Sequence, residues 1–184
     1  MSVRFTETMK GHVTLTGGDD PAPCKFTLTI EVDDVDAHFA DEDHWASATG
    51  TVDCDLFGGE RPVDAGEFKS FDRVNDPKRR AMRYRLPFTD GAGNAVELVG
   101  MKDVGDDEGL DMWADTTTLA VEIRAGHNTG EYEATTAEVL ASGEIVIEIV
   151  DFAKQLTTFR GNPIDIGKFL AKFNKTLADI YLGD

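Results

Sequence analysis

Long hydrophobic runs are missing from this chain: no stretch approaches the roughly 18 consecutive apolar residues that a transmembrane helix requires. The opening MSVRFTETMK carries no apolar run after its first basic residue, so it does not read as a secretory leader, and a soluble, cytoplasmic product is expected. Basic charge is also scarce. Eighteen lysines and arginines face 35 aspartates and glutamates, a formal net charge of -17, and such a field repels polyphosphate and anionic lipid. Nucleic acid and a membrane span are therefore not expected, and partners should be neutral, apolar or locally basic. Only two cysteines occur, Cys24 and Cys54, too few and too far apart for a zinc site or a disulfide framework. Each falls in an apparent strand, where a free cysteine acts as a small apolar residue. Whether the two are neighbours is left open by the sequence.

Catalytic signatures are absent too. There is no GxSxG elbow, P-loop or HExxH, and no GxGxxG opening a helix, so no flavin or nicotinamide cofactor is expected. Four histidines, His12, His38, His44 and His127, lie near apparent turns or strand ends without an evident nucleophile beside them.

What the chain does have is a dominant period of two, the mark of strands with one buried face. In KFTLTIEV, Phe26, Leu28, Ile30 and Val32 share one side; in AMRYRLPF, Met82, Tyr84, Leu86 and Phe88 do. The glycine-rich TDGAGN, residues 89 to 94, then predicts a hairpin turn leading into AVELVGMKDV. TTTLAVEIR and GEIVIEIV predict a further pair, with shorter strands expected over Val3 to Met9, Val13 to Thr16, Trp45 to Asp55 and Glu67 to Arg73. Within 111 to 123, DMWADTTTLAVEI, the phase puts Thr117 on the apolar side with Leu119, Val121 and Ile123, and Trp113 just before the strand. A ring there can cover a barrel end or form the lip of a pocket.

The last third changes period. VDFAKQLTTFRG sets Phe152, Leu156 and Phe159 at helical spacing, with Gly161 placed to end the turn. In the segment that follows, Asn162 can cap and Pro163 suits the first helical position. Ile166, Phe169, Leu170, Phe173, Leu177, Ile180 and Tyr181 then form one stripe, which packs on the domain's own sheet or binds a partner. Eight or nine strands followed by such helices predict a mainly β fold, an antiparallel β-barrel or sandwich, lipocalin-like in size, with a C-terminal amphipathic helix. One domain is expected over 1–184, with strands over about 3–150 and helical segments over about 151–160 and 163–182.

Charge is segregated. From Glu31 to Glu60 there are ten acidic residues and no lysine or arginine. Asp34, Asp36, His38, Asp41 and His44 are the candidate ligands for a divalent cation. The spacing nevertheless fails the EF-hand pattern, with Phe39 where glycine and Trp45 where glutamate should stand, counting from Asp34. A solvated acidic loop is therefore the preferred reading, and DVGDDEGLD, 103 to 111, is read as a second. Opposite in sign, PKRRAMRYR gathers Arg79, Arg80, Arg83 and Arg85 into a candidate anion or partner patch. These side chains can equally pair with acidic residues of the molecule itself or of a partner.

Several stretches resemble, in order, an accessory region beside the flavin domain of long cholesterol-oxidase-type oxidoreductases of the glucose-methanol-choline class. They are FTETMKGH, RRAMRYRLPFTDGAGNAVELVGMKDVGDD, LDMWADTTTLAVEI and DFAKQLTTFRG, spanning Phe5 to Arg160. The resemblance implies an association with sterols or other apolar alcohols, or with an oxidoreductase partner, and it carries over no catalytic residue. The leading expectation is thus a non-catalytic barrel binding an apolar, lipid- or sterol-like molecule, or docking on an oxidoreductase that handles one. Its candidate contacts are Phe26, Leu28, Met82, Tyr84, Phe88 and Trp113. A small hydrolase or isomerase using the acidic loops, and an interaction or assembly module forming a homo-oligomer, are the alternatives.

Overall fold

The alternating segments close into a barrel. A computed structural model describes residues 2–76, 78–105, 116–127 and 137–181. Eight antiparallel strands follow one another around it: β1 (Val3–Leu15), β2 (Pro21–Val32), β3 (Ala46–Cys54), β5 (Gly66–Arg73), β6 (Arg79–Thr89), β7 (Ala95–Gly105), β8 (Thr118–Ala125) and β9 (Val139–Val146). β9 returns to β1 and closes the ring, while β4 (Gly59–Pro62) pairs outside it with β3. The helices are α1 (Val35–Ala40), α2 (Ile149–Thr158) and α3 (Pro163–Tyr181), with the two-residue β10 (Arg160–Gly161) between the last two.

One face of each strand supplies the interior. In β2, Cys24, Phe26, Leu28, Ile30 and Val32 are all buried to within 1 % exposure, and each large side chain so removed from water contributes about 1.5–3 kcal/mol. In the hairpin between β6 and β7, the Asp90 carboxylate accepts from the Ala92 and Asn94 N–H groups at 2.9 and 2.8 Å. Gly93 takes φ 89, a left-handed turn position that favours glycine. This end of the barrel is filled: Phe57, in a short 3-10 turn after β3, meets Phe88 edge-on at 6.5 Å.

Closure depends on two glycines. Gly11 lies opposite Ile145 and Gly143 opposite Val13 on the β1–β9 seam. A Cβ at Gly11 would lie 2.2 Å from the Glu144 carbonyl oxygen, and one at Gly143 would lie 2.1 Å from that of His12. Both obstacles are backbone, so a methyl must push the seam apart. Gly143→Ala is expected to cost about 1–3 kcal/mol in urea unfolding. Gly167→Ala, in a helix with nothing within 4 Å, is expected to be neutral or stabilising by up to about 1 kcal/mol.

β1 is one continuous strand rather than two, because β2 pairs along it without a break from Val3 to Thr14, while its other edge changes neighbours. Lys10–Leu15 pair with β9, and Val3 and Arg4 pair with β10. Between them α2 lies across the gap, where the Thr6 N–H donates to Thr158 Oγ1 at 2.8 Å. GEIVIEIV is corrected accordingly: β9 stops at Val146, and Ile149 and Val150 open α2, 72 % and 63 % exposed. Phe159 follows α2 instead of ending it, and Gly161 pairs with Val3 in β10.

α3 starts as its sequence predicts, Asn162 Oδ1 accepting from the Ile164 N–H at 2.8 Å. It packs on the barrel and not away from it: Phe169 lies 5.7 Å from Phe5, and Phe173 lies 4.8 Å from Phe71. None of the described helices is long and apolar enough to cross a membrane.

Candidate functional site

Two charged residues fall in phase with the apolar face. On β1 the inward positions run Val3, Phe5, Glu7, Met9; on β7 they run Val96, Leu98, Gly100, Lys102, Val104. Glu7 is 5 % exposed and Lys102 3 %. They meet inside the barrel below α2. Tyr84, fully buried on β6, donates its hydroxyl to Glu7 Oε1 at 2.6 Å. Gln155 of α2 donates to Glu7 Oε2 at 3.3 Å. Lys102 Nζ stands 3.7 Å from the same oxygen and 5.4 Å from the centre of the Tyr84 ring. Burial pushes the Lys102 ammonium below its ordinary range, Glu7 opposing the shift. Burial, with the Glu7 charge adding to it, holds the Tyr84 phenol well above its own.

This cluster borders a cavity of about 690 Å³ between the barrel mouth and the two C-terminal helices. Its walls are mainly aromatic and aliphatic, Phe5, Phe68 and Met82 from the strands and Phe152, Phe159 and Leu170 from the helical cover among them. The volume suits one small molecule, and an apolar wall with a few converging polar groups is the usual make-up of a ligand site. The cavity exists because β1 parts from β9 at Lys10 and a helix, not a strand, covers the next residues. No known protein family matches the chain, and no curated protein or solved structure matches it.

Of the side chains expected to meet a ligand, Met82 and Tyr84 line this cavity. Phe26, Leu28 and Phe88 are in the packed core, with Phe26 5.5 Å from Tyr84. Trp113 lies outside the described residues. Glu7, Lys102 and Gln155 were not legible as a site, although a charge in register with the buried face of β1 and of β7 is a readable signal.

The candidate metal residues do not converge, and among the described residues no group of three or more suitable side chains is placed to hold a metal ion. Asp34 caps α1 by accepting from the Ala37 N–H at 2.9 Å. Asp36 pairs with Lys168 and Lys172 of α3 at 2.8 and 3.1 Å. Asp41 accepts from the Asp43 N–H at 2.9 Å, and His44 pairs with Asp33 at 2.7 Å. His38 turns inward instead, 1 % exposed. Its Nδ1 donates to the His44 carbonyl at 3.1 Å and its Nε2 accepts from Ser70 Oγ at 2.8 Å. That is the order of a base and a nucleophile, but Ser70 is also only 1 % exposed. Lys69, whose Nζ donates to the carbonyls of His38, Asp41 and His44, ties the same loop to β5.

The arginine group is engaged within the molecule. Arg79 grips Asp103 through two nitrogens at 3.1 and 2.6 Å, and Arg80 donates to the Arg79 carbonyl at 2.6 Å. Arg83 pairs with Asp72 at 2.7 Å, and Arg85 reaches Glu67 at 3.4 Å and Glu97 at 3.6 Å. Cys24 and Cys54 are directly opposite across β2 and β3, both thiols free and buried. The hydrogen bond between them, together with burial, raises the Cys24 thiol, while the same bond lowers that of Cys54.

Proposed function

We propose that this protein is a non-catalytic binding module that takes an apolar, lipid-like small molecule into the cavity under α2 and α3. The observation that carries the reading is the cavity itself, about 690 Å³ with a mainly apolar wall and one buried polar cluster. α2 suits the part of a cover, because none of its side chains is fully buried. A lightly packed element is the one that opens at least cost. Leu156 lines the cavity and is 53 % exposed, which marks the side of α2 as the way in. Docking on a partner oxidoreductase rests on the resemblance alone.

Titration with the uncharged fluorophore N-phenyl-1-naphthylamine tests the reading. One saturable site per chain is expected, with emission shifted to the blue. Leu156→Trp, which fills the entrance from a half-exposed position, is expected to weaken binding by about tenfold, roughly 1.4 kcal/mol, with little change in thermal stability. Non-saturable fluorescence, or a site indifferent to Leu156→Trp, contradicts the proposal.

A further inference from the structure

We infer that the molecule held in this cavity is uncharged and meets Lys102 through a terminal oxygen, so that an apolar alcohol or carbonyl compound is accepted and a fatty carboxylate is refused. The inference rests on the binding function proposed above. Its basis is the charge inventory of the cavity. Among the described residues lining it, Glu7 and Lys102 are the two that carry charge, and they face each other at 3.7 Å. Both oxygens of Glu7 accept hydrogen bonds, from Tyr84 at 2.6 Å and Gln155 at 3.3 Å, the pattern of an acceptor-only carboxylate. Against that anion Lys102 supplies at most one positive charge. The pair is balanced if Lys102 is protonated and negative if it is not.

Neither state leaves a positive charge for a ligand to neutralise. A carboxylate entering the cavity would become a second anion beside Glu7 in an apolar enclosure, where an uncompensated charge is severely penalised. A hydroxyl or carbonyl carries no such penalty. It also finds a donor. The 3.7 Å separation between Lys102 Nζ and Glu7 is longer than a hydrogen bond, and an ammonium has three hydrogens to direct. The Tyr84 hydroxyl uses its one hydrogen in the bond it donates to Glu7, so its oxygen can still accept from a ligand O–H. An alcohol therefore satisfies both groups at once, accepting from Lys102 and donating to Tyr84.

The test compares three probes with the same chain length at pH 7.5: 1-dodecanol, dodecanoate and dodecane, each displacing N-phenyl-1-naphthylamine. The wild-type protein is expected to bind 1-dodecanol at least about tenfold more tightly than dodecanoate, with dodecane weaker than the alcohol. Glu7→Gln keeps the shape and the acceptor for Tyr84 but removes the resident anion. In that variant a carboxylate can pair with Lys102, and the order is expected to invert in favour of dodecanoate. Equal or tighter binding of dodecanoate by the wild type overturns the inference while leaving the cavity's binding role intact. Failure of all three probes to displace a saturably bound fluorophore overturns the inference, whereas the absence of any saturable fluorophore site overturns the binding role as well. Should Glu7→Gln not fold, the wild-type order decides alone; should it fold and keep the alcohol preference, Glu7 is not what excludes the carboxylate, and the inference fails.

Discussion

Lys102→Met is expected to destabilise the protein by about 3–5 kcal/mol, the usual cost of leaving one member of a buried ion pair without the other. Methionine matches the length of the lysine stem and keeps the packing against Tyr84. What is lost is the charge opposite Glu7, at 3.7 Å in the wild type. Glu7 keeps its hydrogen bonds from Tyr84 and Gln155, yet these do not neutralise it. The double variant Glu7→Gln with Lys102→Met removes both charges and is expected to recover most of the loss, since replacing a whole buried pair is often neutral. Urea unfolding of the two single variants and the double variant measures the coupling. Additive losses would mean that the pair is not an interacting unit.

The second large effect is a dependence on pH. Burial, reinforced by the Lys69 ammonium, lowers the His38 imidazole to about 4, whereas an unfolded chain titrates near its ordinary 6.5. Below about pH 6.5 the unfolded chain therefore takes up a proton that the fold refuses. The contribution is fully present above that pH and is lost as pH falls towards 4, in total about 3 kcal/mol. Of the charged and titratable groups facing His38, Lys69 and the His44 ring oppose protonation and Asp33 favours it, and burial together with Lys69 prevails. Stability of the wild type and of His38→Gln, measured by urea unfolding from pH 7 to pH 4, separates this contribution from that of surface carboxylates. The wild type is expected to lose about 3 kcal/mol more than the variant over that range. Parallel curves would show that His38 titrates alike in the folded and the unfolded chain, contradicting this account.

Local pattern reached the strands and one helix because there the cause is local. β2 alternates from Cys24 to Val32, β6 and β7 keep an apolar phase through Met82, Tyr84, Leu86 and Phe88 and through Val96, Leu98 and Val104, Asp90 and Gly93 build their own turn, and Asn162 and Pro163 mark the start of α3. The end of β9 is not legible locally, because Ile147, Ile149 and the residues around them keep a period of two beyond the point where β1 stops pairing. The chain leaves the edge of β1 there and turns helical, although β1 itself runs on to Val3, a change of partner that no local window registers. α1 was hidden in an acidic stretch whose cap, Asp34, reads equally as a loop residue. The cavity cluster depends on longer reach still. Glu7 and Tyr84 stand 77 positions apart, and Glu7 and Gln155 148. Only barrel closure and the return of α2 bring them together, although the inward phase of Glu7 and Lys102 was open to reading. The arginines of β6 show the converse: a conspicuous cluster in sequence that the neighbouring strands engage, Arg79 with Asp103 and Arg83 with Asp72.

Native mass spectrometry of protein purified gently from its own host, before and after organic extraction, tests the central claim most directly. The account predicts a discrete added mass, one molecule per chain, that leaves with the solvent, and an extracted compound that is apolar. A bare polypeptide mass before extraction, or multiples of it with nothing added, would contradict a carrier role and turn the search towards assembly with another protein.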